Sequence, residues 1–98
     1  MAGTARKITA ETIPAFGPAA SIQPVGDGVV VLMTDDGQLF TGNATTEAVL
    51  RRVDGRRPVA ELAAGICEEF DVAHAEAISD TLAIVADLVD ERILVVVG

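Results

Sequence analysis

Residues 20–41 read ASIQPVGDGVVVLMTDDGQLFT, and their punctuation decides the fold. Three β-rich runs, 21–25, 29–34 and 38–41, are separated by Gly26-Asp27-Gly28 and by Asp35-Asp36-Gly37. Asp and Gly reach the positive φ values that tight hairpin turns require, so the spacing predicts two successive hairpins and a three-stranded antiparallel meander. Pro24 interrupts the first run. A proline cannot donate to a ladder, which puts that strand at a sheet edge or turns the position outward.

Downstream, the apolar period lengthens from two to between three and four. Asn43 stands before Ala44-Thr45-Thr46-Glu47, where its side chain can cap free amides and Glu47 lies at the positive end of the helix dipole. A first helix follows from 44 to about 53, ending at Asp54-Gly55, where glycine suits a left-handed residue. Leu62, Ile66 and Phe70 recur at intervals of four, with Ala63 and Cys67 beside them, and predict a second helix from Pro58 or Val59 to Phe70. Ile78, Leu82, Val85 and Val89 mark a third, from about 73 to 91, with Asp80, Asp87 and Asp90 around its remaining surface. Residues 93–97 form a last β-prone run, free to pair with a sheet edge.

Upstream, residues 1–19 show no sustained period, and Pro14 and Pro18 disfavour helix. They read as a flexible arm, with Ile13 and Phe16 able to dock on a single domain spanning 20–98. The fold class is therefore α+β and winged-helix-like: a three-stranded antiparallel sheet followed by three helices.

With 98 residues, half of them hydrophobic, the chain has room for one core. Apolar runs are far shorter than the ~20 residues a bilayer requires, and no apolar stretch follows Arg6 and Lys7. A cytoplasmic location is the expectation. Fifteen acidic residues against seven basic ones give a net charge of −8, which opposes a polyanionic ligand. Glu76, Asp80, Asp87, Asp90 and Glu91 against a lone Arg92 make the third helix unfit for a DNA groove.

Chemistry has few carriers. One cysteine and one histidine leave no metal-ligand spacing and no nucleophile with a base placed by sequence, so no metal is expected. Cys67 reads as a small core residue and His74 as a solvent-facing one. Arg51, Arg52, Arg56 and Arg57 gather four of the seven basic residues at the end of the first helix. They either complement a helix C-terminus on a solvated corner or dock an acidic partner surface.

The order Asp36-Gly37, strand 38–41, Asn43-Ala44-Thr45, Ala48-Val49-Leu50, Asp54-Gly55, Val59-Ala60-Glu61-Leu62 and Phe70-Asp71-Val72 resembles the PqqD family. Asp80, Leu88 and Ile93-Leu94 continue the resemblance, which covers about residues 21–94. This family comprises small peptide chaperones whose fold is also known as the RiPP recognition element. The chain departs from the family at Gly42, where leucine usually precedes the asparagine, and at Pro58, where a Ser or Thr cap is usual.

The resemblance implies that the leader segment of a ribosomally made precursor peptide lies along the third strand and against the third helix. The edge is then Gln38, Leu39, Phe40 and Thr41, and the groove wall Ile78, Thr81, Leu82 and Val85. An open strand offers main-chain partners at regular spacing, and a neighbouring groove reads alternate side chains of the guest. About half of these apolar residues must instead be core, since a strand residue faces one side or the other. The resemblance also implies a non-catalytic role, with no cofactor, beside a modifying enzyme, often a radical S-adenosylmethionine protein. A winged-helix-like regulator or a general protein-interaction domain is the alternative, and a small enzyme using His74 or Cys67 a third reading.

Overall fold

The computed structural model describes residues 7–98. Its elements run β1 (Pro14–Phe16), β2 (Ala20–Val25), β3 (Gly28–Met33), β4 (Leu39–Gly42), α1 (Ala44–Arg52), α2 (Val59–Phe70), α3 (His74–Asp90) and β5 (Leu94–Val96). The expected meander is present as an antiparallel sheet of order β2-β3-β4, followed by the three expected helices. Gly26 at φ +60 and Gly37 at φ +75 make the two turns. Pro24 lies in β2, an edge strand, where a missing donor costs no ladder bond to a further strand.

Cross-strand register sets the faces. Ile22, Val31 and Phe40 stand opposite one another and turn inward, while Leu32 pairs with Leu39 on the outer face. Val29, Val31 and Met33 meet Val49, Leu62, Ile66, Val85 and Leu88 in one core. Burying each such side chain stabilises the fold by about 1.5–3 kcal/mol.

The cap on α1 is the one the sequence announces. Asn43 Oδ1 accepts from the Thr46 N–H at 3.0 Å and from Thr46 Oγ1 at 3.1 Å. Gly42 follows from the same geometry. A Cβ there would meet Thr46 Cγ2 at 2.6 Å, so the cap folds α1 over a position with no room for the family's leucine.

One feature differs from expectation. The first six residues of the arm lie outside the described residues, but its later part belongs to the body. Pro14, Ala15 and Phe16 pair with Val96, Val95 and Leu94 in a two-stranded antiparallel sheet, which also accounts for the last β-prone run. Pro58, in turn, makes no side-chain cap to α2. The same upstream segment replaces it: the Val59 N–H donates to the Thr12 carbonyl and the Ala60 N–H to that of Ala10, both at 2.9 Å. Orphan amides at a helix N-terminus need acceptors, and main-chain carbonyls serve here.

Helix α3 ends in a Schellman arrangement, with the Ile93 N–H on the Leu88 carbonyl at 2.9 Å and the Arg92 N–H on that of Val89 at 3.0 Å. Arg92 occupies the left-handed position at φ +62, where glycine is usual. Its guanidinium reaches Asp35 at 2.9 Å and Asp36 at 2.8 Å, tying the β3–β4 turn to the end of α3.

Candidate functional site: an open strand beside a helix

The sequence meander leaves β4 at a sheet edge, with β3 on one side and no strand on the other among the described residues. The Met33 N–H donates to the Gln38 carbonyl at 2.8 Å, which marks a hydrogen-bonded pair at the mouth of the hairpin. Such pairs recur every second residue in an antiparallel ladder, so Val31 with Phe40 and Val29 with Gly42 are the next two. The N–H and C=O groups of Leu39 and Thr41 therefore point away from β3, toward the free side. Both residues are exposed, Leu39 by 68%.

Two cavities set residues of helix α3 near this edge, the helix end close to the start of the strand and Asp80 past its end. One, of about 260 Å³, lies between Gln38, Leu39 and Phe40 of the strand and Asp90, Glu91, Arg92 and Ile93 at the helix end, with Met33 and Asp36 completing it. The other, of about 320 Å³, lies past the end of β4, between Asn43 and Thr45 and the helix residues Asp80, Ala83 and Ile84. An extended guest on β4 would have one cavity near each end.

The four edge residues named from sequence thus come together. Gln38, Leu39 and Thr41 are exposed and Phe40 is half-buried against the core. The four helix residues are placed differently. Thr81 and Val85 are both 0% exposed and belong to the core, and neither lines a cavity. Ile78 and Leu82 are half-buried against the core. At about 100° per residue, Leu82 stands roughly 200° round the helix from Asp80, on the flank away from the cavities. Asp80, Ala83 and Ile84 face Asn43 and Thr45 just past the end of β4, and Asp90 and Glu91, two turns further on, face the strand itself. The signal for this placement lay in the acidic residues between the apolar ones, since the apolar stripe of a surface helix is spent on the core.

Thr81 Oγ1 is buried with no hydrogen-bond partner. Removing an unsatisfied hydroxyl while keeping its volume relieves a desolvation cost, so Thr81→Val is expected to raise stability by about 1 kcal/mol. Its denaturation midpoint tests this, and a lower midpoint would show that the hydroxyl has a partner in solution.

Charge divides the molecule. Arg51 bonds Glu47 at 3.0 Å and Glu69 at 3.1 Å, Arg52 bonds Glu69 at 2.8 Å, and Arg57 approaches Asp54 at 3.4 Å. Much of the basic corner is thus spent within the chain, and Arg51 and Arg52 hold the Glu69 carboxyl below its usual range. Arg56 is exposed, with its backbone N–H on Asp54 Oδ1. Beside β4, Asp80, Asp90 and Glu91 form no ion pair among the described residues, and Arg92 is occupied by Asp35 and Asp36.

The hydrogen bond from Arg92 holds Asp35 below the usual carboxylate range, with its positive charge adding to the effect. A depressed folded pKa means that the latch is complete above the ordinary carboxylate value and is lost as pH falls through the lowered one. In Arg92→Gln, the Asp35 carboxyl is expected to titrate at higher pH than in the parent, as followed by carboxyl carbon NMR. An unchanged midpoint would show that the pair does not persist in solution.

The remaining candidates stay apart from this site. Cys67 is half-buried and donates through Sγ to the Val72 carbonyl at 3.0 Å, and His74 is exposed at the start of α3. No group of three or more His, Cys, Asp or Glu side chains among the described residues is placed to hold a metal ion. No helix there is long and apolar enough to cross a membrane.

Comparison with known proteins agrees with this architecture. Solved structures share the fold, among them a chain described as TbiB1 in complex with the TbiA(beta) leader peptide, with TM-score 0.73, 20% identity and coverage of 82% of this chain and 93% of that one. A lasso peptide synthetase B1 complexed with the leader peptide matches with TM-score 0.73 and 22% identity, over 84% of this chain and 96% of that one. The PqqD portion of Methylobacterium extorquens PqqCD, described as a functional and stand-alone RiPP recognition element, matches with TM-score 0.74 and 23% identity over 90% and 94%. No curated protein matches the chain significantly. The family model described as coenzyme PQQ synthesis protein D matches residues 28–94, from the first residue of β3 to the first of β5, and the chain belongs to the PqqD family.

Proposed function

We propose that this chain binds the leader segment of a ribosomally made precursor peptide as a fourth strand on β4 and presents it to a modifying enzyme, making and breaking no bond itself. One observation carries the reading: the main-chain groups of Leu39 and Thr41 face outward from an edge strand flanked by a helix and two cavities. Strand addition satisfies such groups in any sequence, while the flanking wall selects among side chains. Gln38, Leu39, Phe40 and Thr41 form the edge, and Asp80, Ala83 and Ile84 take the place of Ile78, Thr81, Leu82 and Val85 as the wall.

Family membership supports the reading, as do two structures of the same fold described as complexes with leader peptides. The reactive step falls to the partner, for which a radical S-adenosylmethionine protein in the cytoplasm is the proposal. Arg56, with Arg51, Arg52 and Arg57 around it, is the corner offered to that enzyme.

The test is calorimetry and NMR with synthetic peptides copying the leader and the core segments of precursors encoded beside this chain's gene. Leader peptides are expected to bind and to shift the amides of Gln38, Leu39, Phe40 and Thr41, whereas core peptides do neither. Binding that leaves those amides unmoved would overturn the site.

A further inference from the structure

The reading above leaves open what kind of extended peptide fits, and here the wall beside β4 is informative. Both cavities carry carboxylates without a cationic partner among the described residues. Asp90 and Glu91 rim the first, and Asp80 lines the second. Arg92, the one cation in either lining, is already bonded to Asp35 and Asp36. The first cavity also has exposed Leu39 and half-buried Phe40 in its lining, apolar surface suited to the methylene stem of a lysine or arginine whose charged end stays at the rim. Ile84 and Ala83 offer the same combination in the second.

Spacing adds a second constraint. Asp80 and Asp90 are ten residues apart on α3, roughly 15 Å at 1.5 Å per residue. A strand rises about 3.3 Å per residue, so a guest parallel or antiparallel to β4 covers that span in between four and five residues. Side chains on one face of a strand recur at even intervals, which selects four.

Resting on the strand-addition reading, we infer that the guest peptide is cationic, with Lys or Arg at two positions four residues apart on the face turned toward α3. A net charge of −8 acts in the same direction at long range. Anionic guests are repelled at both cavities.

The probes are acetylated nine-residue Thr/Val peptides carrying two lysines four apart, two glutamines or two glutamates at the same positions, or two lysines three apart. Each is titrated into the isotopically labelled chain and followed by amide NMR. The four-apart lysine peptide is expected to bind about 10-fold more tightly than the glutamine peptide, and the glutamate peptide most weakly. The three-apart lysine peptide, with its charges on opposite faces, should recover less than half of that gain. Roughly 0.5 M salt shrinks the contrast to within about twofold, since the charges are exposed. The double substitution Asp90→Asn with Glu91→Gln should cut the lysine-over-glutamine affinity ratio by at least half.

Lysine and glutamine peptides that bind equally, both shifting Leu39 and Thr41, would overturn the charge inference and leave strand addition standing. Preference for glutamate would do the same. No shift at β4 with any peptide at saturating concentration would overturn both.

Discussion

A chain carrying Thr41→Pro is expected to keep its fold and lose its leader peptide. Thr41 lies between two hydrogen-bonded pairs of the β3–β4 ladder, so its N–H points to the free side and contributes nothing to the sheet. Proline's fixed φ is compatible with an edge strand, where a missing donor is tolerated. For an incoming strand, the same substitution removes a donor and puts a ring where the guest backbone must pass. Leader affinity should fall by about 10- to 100-fold, with the thermal midpoint within a few degrees of the parent. Phe40→Pro is the matched control. The Phe40 N–H serves the pair with Val31 and its ring packs on the core, so this change should cost about 3 kcal/mol or more. Two adjacent prolines with opposite consequences, one for binding and one for folding, separate edge chemistry from general damage. Equal loss of stability in both would place the Thr41 N–H inside the ladder.

The second large effect is on folding. Removing residues 2–13 takes away the carbonyls of Ala10 and Thr12 that receive the first amides of α2. It also removes two bonds that bind Ile13 to the C-terminal strand region, the Ile13 N–H on the Gly98 carbonyl and the Val97 N–H on that of Ile13, both 2.9 Å. Four main-chain hydrogen bonds at about 0.5–1.5 kcal/mol each make the expected loss about 2–6 kcal/mol. Set against a typical domain stability of about 5–15 kcal/mol, this is a large share. Denaturant unfolding followed by circular dichroism measures it. An unchanged midpoint would show that α2 finds other acceptors and that the two Ile13 bonds contribute nothing.

What could be read in the sequence divides along a physical line. The meander, the Asn43 cap and all three helices were legible because each is encoded by neighbours: Asp-Gly turns, a cap before an acidic first turn, and apolar residues three or four apart. Helix α2 was expected to start at Pro58 or Val59 and end at Phe70, and it spans Val59–Phe70. Strand β1 was not legible. It has three residues, begins with a proline, and finds its partner 82 positions away at Val96, a pairing no local pattern records. The cap on α2 was invisible for a related reason, since main-chain carbonyls leave no mark in the choice of side chains.

The site was half legible. Strand β4 stands out as the last of the meander, whereas for the wall the sequence points to the most apolar residues of α3. Thr81 and Val85 lie in the core, and Ile78 and Leu82 pack on the far flank. Asp80, Ala83 and Ile84 are what the helix turns toward Asn43 and Thr45, just past the end of the strand. A helix beside an open edge is amphipathic with respect to its own core first, and only the remainder is left for a guest.

Residue-resolved amide hydrogen exchange reports whether Leu39 and Thr41 keep their main-chain groups free for a guest. In the free chain, the Leu39 and Thr41 amides should exchange quickly while those of Phe40 and Gly42, engaged with β3, exchange slowly. Saturating leader peptide should slow Leu39 and Thr41 by about 10-fold or more and leave the other two nearly unchanged. Protection of Leu39 and Thr41 before any peptide is added, or none after it is bound, would contradict the account.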